Sequence, residues 1–446
     1  MTTSIFSGDL GMHFTPENLL RLPVQYGTPL WLYDGDNIIK QIKKLKQFDV
    51  IRFAQKACSN THILRLMREQ GVKVDAVSLG EIERALYAGF QPSRDKSEIV
   101  FTADVIDETT LNRVIELDIP VNVGSIDMLE QIGKRQSGHP VWLRINPGFG
   151  HGHSQKTNTG GENSKHGIWY QALSSAMEKI HQHGLKLVGL HMHIGSGVDY
   201  QHLANVCNAM VEQVMLCGED IQAISAGGGL SIPYKTGEET VDTEHYYSLW
   251  HEARQRIEQH LGHHVELEIE PGRFLVAQSG ILMAEVRAVK SMGNRNYVLV
   301  DAGFNDLMRP AMYGCYHHIS VLPVNNHADD ADLQETIVHE ATVHEATVHE
   351  ATIHEATLRE TLVAGPLCES GDVFTQLEGG EVIPRMLPRV RVGDYLIFHD
   401  TGAYGASMSS NYNSRPLLPE ILFTEGKARL VRRRQTIEEL LSLESI

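Results

Sequence analysis

The chain has 446 residues, 42% of them hydrophobic, which is room for two domains and a large core, and it carries no apolar run long enough to cross a bilayer. Its formal charge of -17 argues against nucleic acid or an anionic membrane as a partner. Five cysteines (Cys58, Cys207, Cys217, Cys315 and Cys368) are scattered without disulfide-framework or metal-ligand spacing. Met1–Leu10 lacks the basic and apolar regions of a secretory signal, so a reducing, cytoplasmic setting is expected.

The first two dozen or so residues are ambiguous, and part of them is expected to join a second domain. From about residue 50 to 275, β-like runs alternate with amphipathic helical ones. The strand candidates are Val50–Ala57, Lys73–Ser78, Glu98–Ala103, Pro120–Ser125, Pro140–Pro147, Leu185–Ile194, Ala223–Ala226 and Val265–Glu270. The helical stretches between them include Thr61–Gln70, N-capped by Asn60 and closed by Gly71, then Gly80–Ala88, Glu108–Glu116, Trp169–His183, His202–Cys217 and Glu244–His260. Eight such units match a (β/α)8 barrel; a doubly wound open sheet has the same periodicity and stays open at this point.

After Arg273 the texture becomes all-β. Short runs at Ile281–Ser291, Asn296–Ala302, Cys315–Val324, Thr361–Ala364, Asp394–Phe398, Pro419–Phe423 and Ala428–Arg433 precede one helix, Thr436–Ser442. The expected organisation is therefore a barrel over 26–275 and a C-terminal β-sandwich or β-barrel domain formed by 1–25 and 276–446. Within the latter, 338–357 holds His-Glu-Ala-Thr four times at a five-residue step. That step turns by about 140° on a helix and alternates faces on a strand, so neither form gains a continuous apolar side. His339, His344, His349 and His354 also lack the i, i+4 spacing of ligands on one helix face, and the segment reads as a solvated insertion.

Several strand ends carry chemistry. Lys56 closes the first barrel strand, where it is either a snorkelling side chain or a desolvated amine that forms a Schiff base with a carbonyl cofactor. His191 and His193 share a strand face, which admits a two-histidine metal site. With no third ligand nearby no metal is expected, and an imidazole stacked on an aromatic cofactor with Ser196 at its phosphate fits better. Gly227, Gly228 and Gly229 follow a strand end, where backbone N–H groups can approach a phosphate. Glu266, Glu268 and Glu270 alternate and so share one face, as structural ion-pair partners or as a carboxylate that keeps a heterocyclic nitrogen protonated; Pro271, Gly272 and Arg273 follow. In the second domain, Cys368 beside Glu369 is a candidate proton donor, Tyr404 lies in a small-residue loop, and Arg309 with Tyr313 can grip a carboxylate.

Taken in order, these motifs resemble the fold-type III pyridoxal-phosphate decarboxylases, most closely the branch acting on diaminopimelate. The resemblance covers nearly the whole chain apart from the His-Glu-Ala-Thr insertion. It is most specific through 144–169, 190–198, 270–280, 301–314, 365–374 and 402–416. One departure is that Gln55 precedes Lys56 and Ala-Cys-Ser-Asn follows it, which marks a subgroup and removes no required group. The resemblance implies a homodimer with composite active sites and decarboxylation of meso-2,6-diaminopimelate to L-lysine, the last step of lysine biosynthesis. It implies Lys56 as the cofactor-bearing lysine, His193 against the pyridine ring, and Glu270 at the ring nitrogen with Asp75 and Arg144 in support. Ser196, the glycine turn and Arg273 would hold phosphate, while Arg273, Arg309, Tyr313, Glu369 and Tyr404 would meet substrate. Tyr404 would also touch cofactor, and Cys368 and Glu369 would come from the second subunit. Arginine or ornithine decarboxylation on the same scaffold, or a non-catalytic cofactor-binding paralogue, are the alternatives.

Overall fold

The computed structural model describes residues 13–150, 158–193, 199–324, 338–339 and 358–445. The chain forms two compact units, one of Ile39–Ile232 and Glu239–Leu275, the other of Met1–Ile38, Pro233–Glu238 and Val276–Ile446. In chain order the first strand, β1 (Leu30–Asp34), belongs to the second unit. The first unit then supplies β2 (Val50–Ala54), β3 (Lys73–Ala76), β4 (Ile99–Ala103), β5 (Val121–Val123), β6 (Pro140–Asn146), β7 (Ile168–Trp169), β8 (Lys186–His191), β9 (Ala223–Ser225) and β10 (Glu266–Ile269).

Every neighbouring pair around β2-β3-β4-β5-β6-β8-β9-β10 is parallel, and β10 pairs back onto β2, so eight strands close a barrel with β7 as a side strand on β6. Closure removes the open-sheet alternative. Five of the crossover helices begin on side-chain caps that satisfy otherwise orphaned N–H groups: Asn60 accepts from His62, Ser78 from Glu81, Asp107 from Thr110, Asp199 from His202 and Asp242 from Glu244. Ile126–Arg135 is a helix the sequence reading passed over.

The barrel interior is polar in layers. Arg52 on β2 and Glu268 on β10 form a two-pronged ion pair, Nε–Oε2 3.1 Å and Nη2–Oε1 3.0 Å, with both side chains buried. Losing one partner would strand a buried charge at about 3–5 kcal/mol. Between β6 and β8 Trp142 packs against Gly189, which leaves it space: a Cβ there would lie 2.0 Å from the Ala223 carbonyl oxygen and 2.9 Å from the indole. The catalytic candidates occupy the layer above, at the carboxyl ends of the strands.

The second unit is built on one mixed sheet. Its later strands are β11 (Gly280–Met292), β12 (Arg295–Val300), β13 (Ile319–Leu322), β14 (Val338–His339), β15 (Arg359–Ala364), β16 (Arg385–Leu387), β17 (Tyr395–Phe398), β18 (Glu420–Thr424) and β19 (Lys427–Arg432). The order is β14-β13-β17-β11-β1-β18-β19, with β12, β15 and β16 continuing from β11. The boundary expected at residue 26 thus falls later, because β1 pairs antiparallel with β11 and parallel with β18. Leu30 and Leu32 complete an apolar core with Phe14, Leu19, Met283, Ile397, Ile421 and Phe423. A β-bulge between Val286 and Ala288 lets the long β11 serve two sets of partners. Apart from the backbone of β14, the His-Glu-Ala-Thr copies lie outside the described residues. No helix among those described is long and apolar enough to cross a membrane.

Candidate active site

In the barrel unit the site is a ring of strand ends tied to one another through the main chain. β2 stops at Ala54, whose N–H donates to the Pro271 carbonyl at 3.1 Å. Gln55–Ala57 then forms a single 3-10 turn, braced by the Gln55 amide donating to the Glu81 carbonyl. Glu270 N–H donates to the Gly227 carbonyl at 2.8 Å, and Gly228 N–H donates to His193 Nδ1 at 2.7 Å. One backbone circuit therefore joins the lysine turn, the Glu-Pro-Gly-Arg turn, the glycine turn and His193.

Lys56 corrects one expectation. The strand ends two residues before it and its side chain is exposed, so desolvation does not single it out. Its position does, since its positive charge acts on Asp75, Glu81, His193 and Glu270.

The three alternating glutamates divide their roles along the barrel axis. Glu266 is exposed, Glu268 pairs with Arg52, and Glu270 receives a hydrogen bond from His191 Nε2 at 2.8 Å. Burial would raise the Glu270 carboxyl, but His191, then Arg144 and Lys56, hold it below the usual carboxylate range. Asp75 goes the other way. Burial and the Glu270 charge push it well above its ordinary value, against a 2.6 Å hydrogen bond from Thr102. The two carboxylates thus shift in opposite directions, Asp75 toward its neutral form and Glu270 toward its ionised one.

His193 is neutral, since burial and then the charges of Arg144 and Lys56 pull its pKa well below normal. Its Nδ1 accepts from Gly228, which leaves the proton on Nε2. The glycine turn is obligatory here: Gly227 has φ +62°, and a Cβ on it would lie 2.3 Å from the Met192 carbonyl oxygen. A Cβ on Gly228 would lie 2.6 Å from the Glu270 carbonyl oxygen. Gly227 N–H donates to Ser225 Oγ, so the first two glycine N–H groups serve neighbours within the chain rather than an anion. Arg273 opens the short helix Arg273–Val276. Ser196 lies outside the described residues.

Sequence reasoning missed several members of this layer. His191 entered only as a metal candidate, yet it is the partner of Glu270. Asn122 joins Thr102 beside Asp75 at 3.4 Å. Asp104 accepts from Gly167 N–H and pairs with His166 Nδ1 at 2.6 Å, next to the Arg144 charge. Asp104 and His166 are 62 positions apart, and no local pattern marks either.

In the second unit, Cys368 is exposed and its N–H donates to Asn413 Oδ1 at 2.9 Å, while Glu369 accepts from the Tyr412 hydroxyl. Asp372 braces this loop through the N–H groups of Leu367 and Phe304, both at 2.8 Å. Burial pushes the Cys207 thiol up to about 12 and raises that of Cys217. Tyr404 takes a left-handed backbone (φ +57°), a strained choice for a tyrosine of the kind that concentrates at functional sites. Arg309 and Tyr313 bracket a one-turn helix, with Arg309 buried. The expected residues thus fall into two sets, each assembled within its own unit.

The barrel set suits pyridoxal phosphate on chemical grounds. A half-buried carboxylate held toward its ionised form suits a protonated ring nitrogen, a neutral flat imidazole suits an aromatic face, and an accessible primary amine suits an aldehyde. Residues 36–277 match the family model described as "Pyridoxal-dependent decarboxylase, pyridoxal binding domain". The chain is 68% identical over 444 residues to a diaminopimelate decarboxylase of Escherichia coli (strain K12), covering 100% of both chains. It superposes on a crystal structure of diaminopimelate decarboxylase with TM-score 0.89 at 66% identity, covering 99% of each chain. The Helicobacter pylori diaminopimelate decarboxylase complexed with L-lysine matches with TM-score 0.79 at 29% identity, covering 95% of this chain and 98% of that one. A family model matching over half the chain, and relatives this similar end to end, place it plainly: the chain belongs to the pyridoxal-dependent decarboxylases and, within them, to the diaminopimelate decarboxylase family.

Proposed function

We propose that the protein removes carbon dioxide from meso-2,6-diaminopimelate to give L-lysine, using pyridoxal phosphate, as the last step of lysine biosynthesis. The observation that carries this reading is Glu270, half-buried yet held below the usual carboxylate range by His191, which donates to it at 2.8 Å, in a circuit with His193 and the lysine turn. When bound, the cofactor supplies an electron sink conjugated to the substrate Cα.

The protein's own residues do the rest. Lys56 is the covalent attachment point. Glu270 keeps the proton on the ring nitrogen by Coulomb attraction in a poorly solvated layer. Asp75, shifted toward its neutral form, competes less as a second negative charge, and the Arg144 charge helps hold Glu270 ionised. Neutral His193 offers the ring a face without a competing charge. Arg273 and the glycine turn hold the phosphate; because Gly228 N–H is spent on His193, that duty within the turn passes to Gly229. Arg309, Arg273 and Tyr313 grip substrate carboxylates, and Glu369 and Tyr404 complete the substrate contacts. Cys368 returns a proton to Cα.

We place the reaction in a homodimer whose sites take Cys368 and Glu369 from the partner subunit, in a reducing, cytoplasmic setting consistent with five free cysteines. Carbon dioxide release from meso-diaminopimelate should require pyridoxal phosphate and be negligible with arginine or ornithine. Release from either of those instead would replace the substrate assignment. Subunits carrying Lys56→Ala and subunits carrying Cys368→Ala should each be nearly inactive, Cys368→Ala by about 10²-fold or more. Mixed together they should regain part of the activity through hybrid dimers. No recovery in verified hybrids would rule out composite sites.

A further inference from the structure

The second unit holds Arg309 in an uncommon way. Its Nη1 donates to His317 Nε2 at 3.0 Å and its Nη2 to Cys315 Sγ at 3.3 Å, and its guanidinium lies 4.9 Å from the Tyr234 ring centroid. Tyr234 also meets His317 edge-on, with ring centroids 5.6 Å apart. Arg309 and His317 are both buried, at 4% and 3% exposure. A guanidinium can only donate, so His317 Nε2 must present its lone pair. The other nitrogen, Nδ1, carries the proton and donates to the His399 carbonyl at 2.8 Å. His317 is therefore a neutral acceptor with both ring nitrogens assigned by geometry.

A carboxylate in that position would orient the arginine equally well, but it would also neutralise it. A neutral acceptor fixes the planar fork and leaves its charge for an incoming anion. The Arg309 charge is also felt by Asp400, but burial pushes that acid up to about 7, so near neutrality it offsets the guanidinium only in part.

We propose that His317 is a positioning residue for substrate recognition, which sets the fork of Arg309 through Nε2 so that the guanidinium meets a substrate carboxylate preorganised and un-neutralised. This rests on Arg309 binding that carboxylate. The cost of a floppy fork falls on binding rather than on the chemical step, so it appears in KM.

Two substitutions separate the two ring nitrogens. In His317→Asn the amide N–H stands in for Nδ1–H toward the His399 carbonyl, and the acceptor facing Arg309 is lost. In His317→Gln the amide oxygen reaches the position of Nε2 and keeps that acceptor, while the bond to His399 is lost. With holoenzyme, His317→Asn should raise KM for meso-diaminopimelate and the inhibition constant for L-lysine about tenfold, with kcat within about twofold. His317→Gln should stay within about threefold of the parent in both. Thermal midpoints and the visible spectrum of the bound cofactor, read in parallel, report on folding and loading. Parent-like KM in His317→Asn overturns the proposal, as does an equal loss in both variants that tracks their thermal midpoints. Arg309→Gln is the control on the underlying reading: a large rise in KM upholds it, whereas an unchanged KM removes the substrate grip and the proposal with it.

Discussion

Replacing Lys56 by alanine should lower turnover by about 10⁴-fold or more, the scale seen when a covalent catalytic group is removed. The fold should survive, because the turn is held by contacts that do not use the amine. Ala54 N–H donates to Pro271, Cys58 N–H to Gln55, and the Gln55 side chain to Glu81. The lysine side chain itself is exposed and packs against no core. Borohydride treatment should add the mass of the cofactor to the Lys56 peptide of the parent and to no peptide of the variant. A small primary amine added to Lys56→Ala should restore a measurable fraction of activity. A variant that still fixes cofactor on reduction would assign the attachment to another lysine.

Glu270→Gln should lower kcat by about 10²–10³-fold and leave KM within a few-fold, since what it removes is charge stabilisation felt mainly as the carbon–carbon bond breaks. Glutamine keeps the size of the side chain and an acceptor for the 2.8 Å bond from His191, so the geometry of the layer is retained while the charge is lost. The change also reaches Asp75, whose carboxyl is raised by burial first and by Glu270 next. Without the Glu270 charge, Asp75 should ionise more readily and recover part of the lost electrostatics. The double variant Glu270→Gln with Asp75→Asn should therefore be slower than Glu270→Gln alone. A kcat within tenfold of the parent in Glu270→Gln would show that the ring nitrogen does not depend on this carboxylate.

The eight barrel strands were legible because each is a short apolar run and most are followed by an amphipathic helix, a local pattern that survives without tertiary context. Strand ends were read too long. Lys56 and His193 both fall outside their strands, where the alternation of faces stops applying. That is why a shared face for His191 and His193 did not translate into a shared role: one bonds Glu270 and the other receives Gly228. The stretch that forms β1 fell within the expected barrel bounds, 26–275, without being read as a strand, and only pairing with β11 and β18 places it in the second sheet.

The sequence by itself determined eight alternating βα units followed by an all-β region, the placement of Lys56, Gly227–Gly229 and Glu270 just past strands, and the alternation that puts Glu266, Glu268 and Glu270 on one face. It could not divide labour among those glutamates. Closure of the barrel sets β10 beside β2, so Glu268 meets Arg52 from 216 positions away, and Glu270 meets His191 from 79. Ionisation followed from those meetings, as did the neutral state of His193 and the lone pair that His317 turns toward Arg309. Local sequence encodes periodicity and turns; charge state and hydrogen-bond direction depend on partners that only the folded chain brings within reach.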